Sequence, residues 1–279
     1  MKEIIHSSLT LQNYASIAGF KESLRVIRHR ILRNKLQEQG ALFKPSQNRA
    51  LVFAPHADDE TLGCGGFIAL KHNLGAQVEV VILTDGSACF GPLPSAAANA
   101  LAERREGEAE RAMDILGIPK TQIHFLKQPD GRLSSVMGSD RNNLLAQIIE
   151  LLERYRPQEV LVPHQLDNTP DHEVTFDLVY SALKSTSLRP LVLQYPIWRF
   201  WSGPLLDVRV PFIPDLERIC RLEISQVLEK KRKAFACYES QYSTVTEFSS
   251  KSSLPARFRK AFELKYEIFF TLGDTSWID

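Results

Sequence analysis

Five short apolar runs alternate with longer helix-like stretches from residue 50 to residue 195, and this alternation limits the folds open to the chain. Ala50–Ala54, Gln77–Thr84, Gln122–Leu126, Glu159–Val162 and Leu191–Tyr195 read as strands. Between them, Thr61–Leu74, Ser95–Leu116, Asp140–Tyr155 and His172–Lys184 read as helices. Gly117 closes the second helix and Pro157 lies just past the third, both ordinary stop signals. Strands separated by helices of this length indicate βαβ units and a parallel sheet. Right-handed crossovers then predict an α/β fold: a doubly wound, mostly parallel, Rossmann-like sheet with helices on both faces. Ligands of such sheets bind beyond the carboxyl ends of the strands. That rule points to Pro55–Glu60, Asp85–Ser87, Pro129–Gly131 and Pro163–His172.

The flanks differ from this block. Residues 1–48 read as an N-terminal helical extension and 49–279 as one domain, with about 205–279 less regular. In the extension, Phe20–Gln39 reads as a helix with apolar Leu24, Ile27, Ile31 and Leu32. Its basic face carries Lys21, Arg25, Arg28, Arg30 and Arg33. Such a helix packs on the domain with its charges in solvent, makes peripheral contact with an anionic membrane through residues 20–39, or serves as a partner-binding arm. In the tail, Arg221–Ser225 reads as a strand, Gln226–Glu239 as a basic helix, Ala256–Phe270 as a final helix and Ser249–Ser253 as a loop or weak link.

Composition narrows the class. With 44% hydrophobic residues in 279, the chain can build a large core, which excludes global disorder. A net charge of +1 offers no reason to expect nucleic acid. No apolar run approaches the roughly 20 residues needed to span a bilayer, and the start Met1-Lys-Glu-Ile-Ile-His6 lacks a signal-like apolar stretch. Cys64, Cys89, Cys220 and Cys237 are widely spaced and form no CxxC pair. Reduced thiols in a cytoplasmic protein are expected, with oligomerisation left open.

Pro55-His56-Ala57-Asp58-Asp59-Glu60 is the most informative stretch. Three consecutive acids behind a buried strand repel one another unless a cation relieves them. His56 and Asp59 can converge on one ion, and mixed nitrogen and oxygen donors suit zinc, with other divalent ions possible. Asp58, beside a ligand but aimed differently, could take a proton from water. A simpler reading makes Asp59 or Glu60 charge partners of a helix start. The second cluster, Pro163 to His172, holds His164, Asp167, Asp171 and His172. His172 would be the third ligand of a catalytic zinc site, and Asp171 could orient a ring or a substrate group. His164 and Asp167 are candidates for transition-state or substrate contacts. After the fifth strand, Tyr195, Trp198, Phe200 and Trp201 could wall a sugar site or simply pack. Arg104 or Arg105 could meet a phosphate. Gly63-Cys-Gly-Gly66 invites a nucleotide-loop reading, which the preceding acids disfavour.

These two motifs resemble those of the PIG-L/LmbE family of metal-dependent N-deacetylases. Its Pro-His-Pro-Asp-Asp-Glu motif matches Pro55–Glu60, and its Asp-x-His-Pro-Asp-His motif matches Asp167–His172. Leu83–Gly86, Arg105–Ala109, Pro129–Leu133 and Lys233–Gln241 extend the similarity. The resemblance implies hydrolysis of the N-acetyl group of an N-acetylglucosamine-type amino sugar: free, nucleotide-linked, part of a thiol precursor, or lipid-linked. It implies His56, Asp59 and His172 as zinc ligands and Asp58 as general base. It also places Arg105 near substrate and Asp130 on a sugar hydroxyl. Ala57 replaces a motif proline. Thr169 stands where many members have a histidine that helps polarise the carbonyl, leaving His164, the Thr169 hydroxyl or the metal alone for that task. The alternative is a non-catalytic carbohydrate- or nucleotide-binding protein on the same fold.

Overall fold

The computed structural model describes residues 2–202, 217–243, 248–249, 254–255 and 257–272. The chain opens with helix α1 (Lys2–Gln39) and a two-residue strand β1 (Ala41–Leu42). The alternating block follows as β2 (Ala50–Ala54), α2 (Asp59–Asn73), β3 (Val78–Thr84), α3 (Ser95–Leu116), β4 (Ile123–Gln128), α4 (Gly138–Tyr155), β5 (Glu159–Pro163), α5 (Pro170–Lys184) and β6 (Leu191–Tyr195). The tail adds β7 (Glu217–Glu223), α6 (Leu228–Phe235), α7 (Glu239–Tyr242) and β8 (Tyr266–Leu272).

Among the described residues, eight strands join one sheet in the order β1-β7-β8-β6-β5-β2-β3-β4. β6-β5-β2-β3-β4 are mutually parallel, and β8 alone runs against its neighbours. The winding reverses at β2, whose Ala50–Val52 pair with Val78–Val80 of β3 on one side and Glu159–Leu161 of β5 on the other. Every residue of β2, β3 and β5 is buried, as expected of strands covered on both faces. Val52, Phe67, Val80, Ile82, Met113 and Phe235 fill the layer under α2, α3 and α6. Leu51, Phe53, Val81, Leu144, Ile148 and Val179 fill the opposite layer under α4 and α5.

Three expectations need correction. Ala256–Phe270 is not a helix: Arg259–Ala261 is a single tight turn, and β8 begins at Tyr266. Tyr-Glu-Ile-Phe-Phe-Thr-Leu is an aromatic and β-branched run suited to a strand buried on both faces. Its Phe269 enters the α2 side, while Ile268 and Phe270 meet Leu32, Leu36 and Phe200 on the other. The tail helix expected over Gln226–Glu239 is broken between α6 and α7, and the tail strand runs Glu217–Glu223. Finally, α1 is turned differently than its pattern suggests. Arg28 and Arg33 are buried, whereas Ile27 and Ile31 are exposed. Carbonyls explain the inversion: Arg28 donates to Phe200 and Ser202, and Arg33 to Tyr266. Residues 250–253 of the expected Ser/Lys loop, and all of 205–216, lie outside the described residues.

The Gly63–Gly66 cluster lies inside buried α2, so it forms no phosphate loop. A Cβ on Gly63 would sit 2.3 Å from Tyr195, whose hydroxyl is tied to the Phe53 carbonyl at 2.7 Å. A Cβ on Gly66 would sit 2.4 Å from Ile224. These glycines let α2 lie close to the sheet and tail. Gly63→Ala should therefore cost about 1–3 kcal/mol through overpacking, read as a lower urea midpoint at unchanged slope.

Candidate metal centre and cavity

The reversal at β2 opens a crevice where the chain leaves β2 and β5. The turn after β2 is pinned from several sides. The Pro55 carbonyl accepts from Thr84 N and Oγ1 at 3.0 and 2.8 Å, and Arg105 donates to the Ala57 carbonyl at 2.8 Å. Asp58 then adopts φ 136°, a region that favours glycine. Strain of this kind costs on the order of 1–3 kcal/mol and clusters at functional sites.

His56 Nδ1 lies 3.1 Å from Asp59 Oδ2, and His172 Nε2 lies 3.2 Å from the same oxygen. One donor atom from each of His56, Asp59 and His172 falls within 4.8 Å of the others. Donors of a tetrahedral zinc with bonds near 2.0–2.1 Å are spaced about 3.3 Å apart, and the His56–Asp59 and Asp59–His172 spacings are close to that value. His172 is fully buried, with its Nε2 facing Asp59 and its Nδ1 facing Asp167. Two imidazole nitrogens and a carboxylate oxygen converging on one point make a donor set that zinc accepts. Supporting carboxylates aim both rings. His56 Nε2 lies 3.2 Å from Asp130 Oδ1 and 3.2 Å from Asp171 Oδ2, which leaves Nδ1 facing Asp59. Asp171 is itself fixed by the N–H groups of Gly131 and Leu133 at 2.8 and 3.1 Å. Asp167 Oδ2 lies 2.8 Å from His172 Nδ1.

Protonation follows this crowding. Burial alone would lower the His56 pKa, but hydrogen bonds to Asp130, Asp171 and Asp59 hold it well above 6.5. Burial is likewise outweighed at His172, where the charge of Asp59 and the contact with Asp167 raise the pKa to about 9. Asp59 is held below the carboxylate range against burial, chiefly by the charge of His172. Asp130 falls to about 2, its burial overcome by His56 and Arg105. Asp58 goes the other way. Burial and the neighbouring Asp59 charge push its carboxyl well up, with Arg105 opposing.

The family model for PIG-L, GlcNAc-PI de-N-acetylase, matches residues 51–183, a span that carries all of these groups. The diacetylchitobiose deacetylase of Thermococcus kodakarensis is 32% identical over 198 residues, covering 70% of each chain. This chain belongs to the PIG-L family. A second PIG-L relative, the 1D-myo-inositol 2-acetamido-2-deoxy-alpha-D-glucopyranoside deacetylase of Rhodococcus jostii, is 24% identical over 245 residues, 70% of this chain and 82% of that one. The solved N,N'-diacetylchitobiose deacetylase of Pyrococcus horikoshii shares the fold with a TM-score of 0.59 at 20% identity, over 87% of this chain and 91% of its own.

Within the PIG-L fold a cavity of about 260 Å³ opens over these groups. His56, Asp58, Asp59, Arg105, Asp130 and Thr169 line its polar side, and Leu62, Ile197, Trp198, Leu254 and Phe258 its apolar wall. Asp58, Asp130, Thr169 and Trp198 thus share one cavity, with Trp198 stacked on Phe258 at 4.5 Å. Thr169 Oγ1 is buried with no hydrogen-bond partner among the described residues. Tyr195, Phe200 and Trp201 are core residues and do not reach the cavity. Neither does His164, which is fully buried: its Nδ1 accepts the Leu166 N–H at 2.9 Å and its ring abuts Phe270. Arg105 lines the cavity, but its two terminal nitrogens donate to the Gly86 and Ala57 carbonyls, which makes it a brace for the turn rather than a phosphate clamp. Asp167 also differs from expectation. It accepts the N–H groups of Ile197, Trp198 and Arg199 and so holds the Trp198 loop beside His172. Sequence reading passed over Cys89 and Gln241, which also line the cavity.

Proposed function

We propose that this PIG-L protein is a zinc-dependent hydrolase that removes the N-acetyl group from an N-acetylglucosamine-type amino sugar. The convergence of one donor atom each from His56, Asp59 and His172 beneath an open cavity carries the reading. Curated relatives with deacetylase names act on sugars of this kind, which supports the substrate class. When bound, zinc would polarise the amide carbonyl and lower the pKa of water from about 15.7 toward 7.

The chain's own groups do the rest. Asp58 lines the cavity next to Asp59 and takes the proton of the attacking water. Burial and the Asp59 charge raise the affinity of its carboxylate for that proton, which it then hands to the leaving amine nitrogen. Asp171 keeps the His56 ring aimed at the metal position. The Thr169 hydroxyl donates to the carbonyl oxygen in the role given to a histidine in many relatives, since His164 is occupied elsewhere. Asp130 accepts from a sugar hydroxyl, and Trp198 offers an apolar face to the ring.

Purification with metal analysis, followed by a screen of N-acetylated sugars for free amine, tests this. One metal per chain and amine release from an N-acetylglucosamine derivative are expected. Full metal with no product from any sugar would favour a non-catalytic binding protein. His172→Ala should reduce bound metal to near zero. Zinc at one hundred times its dissociation constant should stabilise the wild-type protein by about 2.7 kcal/mol, read as a higher melting temperature, and this gain should be absent in the variant.

A further inference from the structure

We infer that Glu60 and Tyr238 are positioning residues that hold Asp58 in its working orientation, an inference that rests on the reading of Asp58 as the base. Asp58 sits at φ 136° at the start of α2, and its side chain makes no cap hydrogen bond to the helix. Something else must stabilise a turn that disfavours any residue bearing a Cβ. Glu60 does so. It is fully buried, and its Oε2 accepts the Asp58 N–H at 3.0 Å. Asp58 is held on its other side as well, where its carbonyl accepts from Thr61 N and Leu62 N.

Glu60 needs anchoring in turn, because a buried carboxylate is costly unless its lone pairs are used. Oε1 accepts the Thr61 hydroxyl at 2.9 Å and the Tyr238 hydroxyl. Tyr238 comes from 178 residues downstream and is also fully buried. The short helix α7 directly after it is bolted down: Ser240 N and Oγ donate to Glu108 of α3 at 2.9 and 2.6 Å. A chain of contacts therefore runs from the tail through Tyr238 and Glu60 to the backbone of Asp58. Neither Glu60 nor Tyr238 lines the cavity, so their influence passes through Asp58.

The test uses Tyr238→Phe, Glu60→Ala and the double variant, each as zinc-loaded full-length protein. Displacing a reacting group by around an ångström costs about 100-fold. Each single variant should lose about 10- to 100-fold in kcat, with KM within about threefold and metal content unchanged. The double variant should be no slower than Glu60→Ala, because Tyr238 acts only through Glu60. A kcat for Tyr238→Phe within twofold of wild type, or losses that multiply in the double variant, overturns the inference. If the wild-type protein releases no amine, the reading of Asp58 as base fails separately, and crystal structures of the variants decide the matter. Asp58 leaving the positive-φ region in both single variants supports positioning, and an unmoved Asp58 overturns it.

Discussion

Asp58→Asn should slow amine release by about 10²–10⁴-fold while leaving one metal per chain, because it removes a proton acceptor and no metal donor. Asn is the most informative replacement. It keeps the shape of the side chain and tolerates positive φ better than most residues, so the turn at φ 136° should survive. The braces on that turn, Arg105 on the Ala57 carbonyl and Glu60 on the Asp58 N–H, do not involve the Asp58 carboxylate. A loss confined to kcat, with metal content and melting temperature retained, would mark the carboxylate as chemical. A turnover equal to wild type would remove Asp58 from the reaction and leave the cluster as a metal site alone.

Glu267→Ala should destabilise the protein by about 3–5 kcal/mol, seen as a large fall in the denaturant midpoint. Glu267 is 1% exposed and has three partners. Its two oxygens accept the N–H groups of Gly66 and Phe67 in the interior of α2, at 2.7 and 2.8 Å. Lys231 pairs with it at 2.6 Å and also donates to the Leu62 carbonyl at 2.8 Å. Truncation would leave a buried ammonium without its counter-charge. Burial already lowers the Lys231 pKa, and Glu267 is the main influence opposing that shift. Replacing both partners by apolar residues should recover part of the loss, as it does for isolated buried pairs. The recovery should be incomplete, because the acceptors of two helix N–H groups are still gone.

The block from β2 to β6 was legible because its strands are continuous apolar runs and its helices carry ordinary stop signals. The ends of Ser95–Leu116 and Leu191–Tyr195 agree with the sequence reading to the residue. The two acid–histidine clusters were legible for a related reason, since each follows a buried strand directly. What escaped depended on partners distant in the chain. Glu267 inside β8 looks like one polar residue in a helix pattern until Lys231 and the α2 backbone are brought to it. Arg28 and Arg33 look like a solvated face until the carbonyls of Phe200, Ser202 and Tyr266 take them inward. His164 stands one residue past β5 and faces the right sheet edge in sequence, yet a local N–H two residues on captures its ring. Gly63–Gly66 has the composition of a ligand loop but the job of letting Tyr195 and Ile224 approach.

The winding of the sheet changes direction at β2, and the three candidate metal donors straddle that reversal. His56 and Asp59 ride on the connection that leads outward toward β4, while His172 rides on the one that leads back toward β6. An ion gripped by all three therefore acts as a rivet between the two wings of the molecule. Amide exchange should slow in α2 and α5 together when the rivet is set, and quicken in both when a chelator draws it.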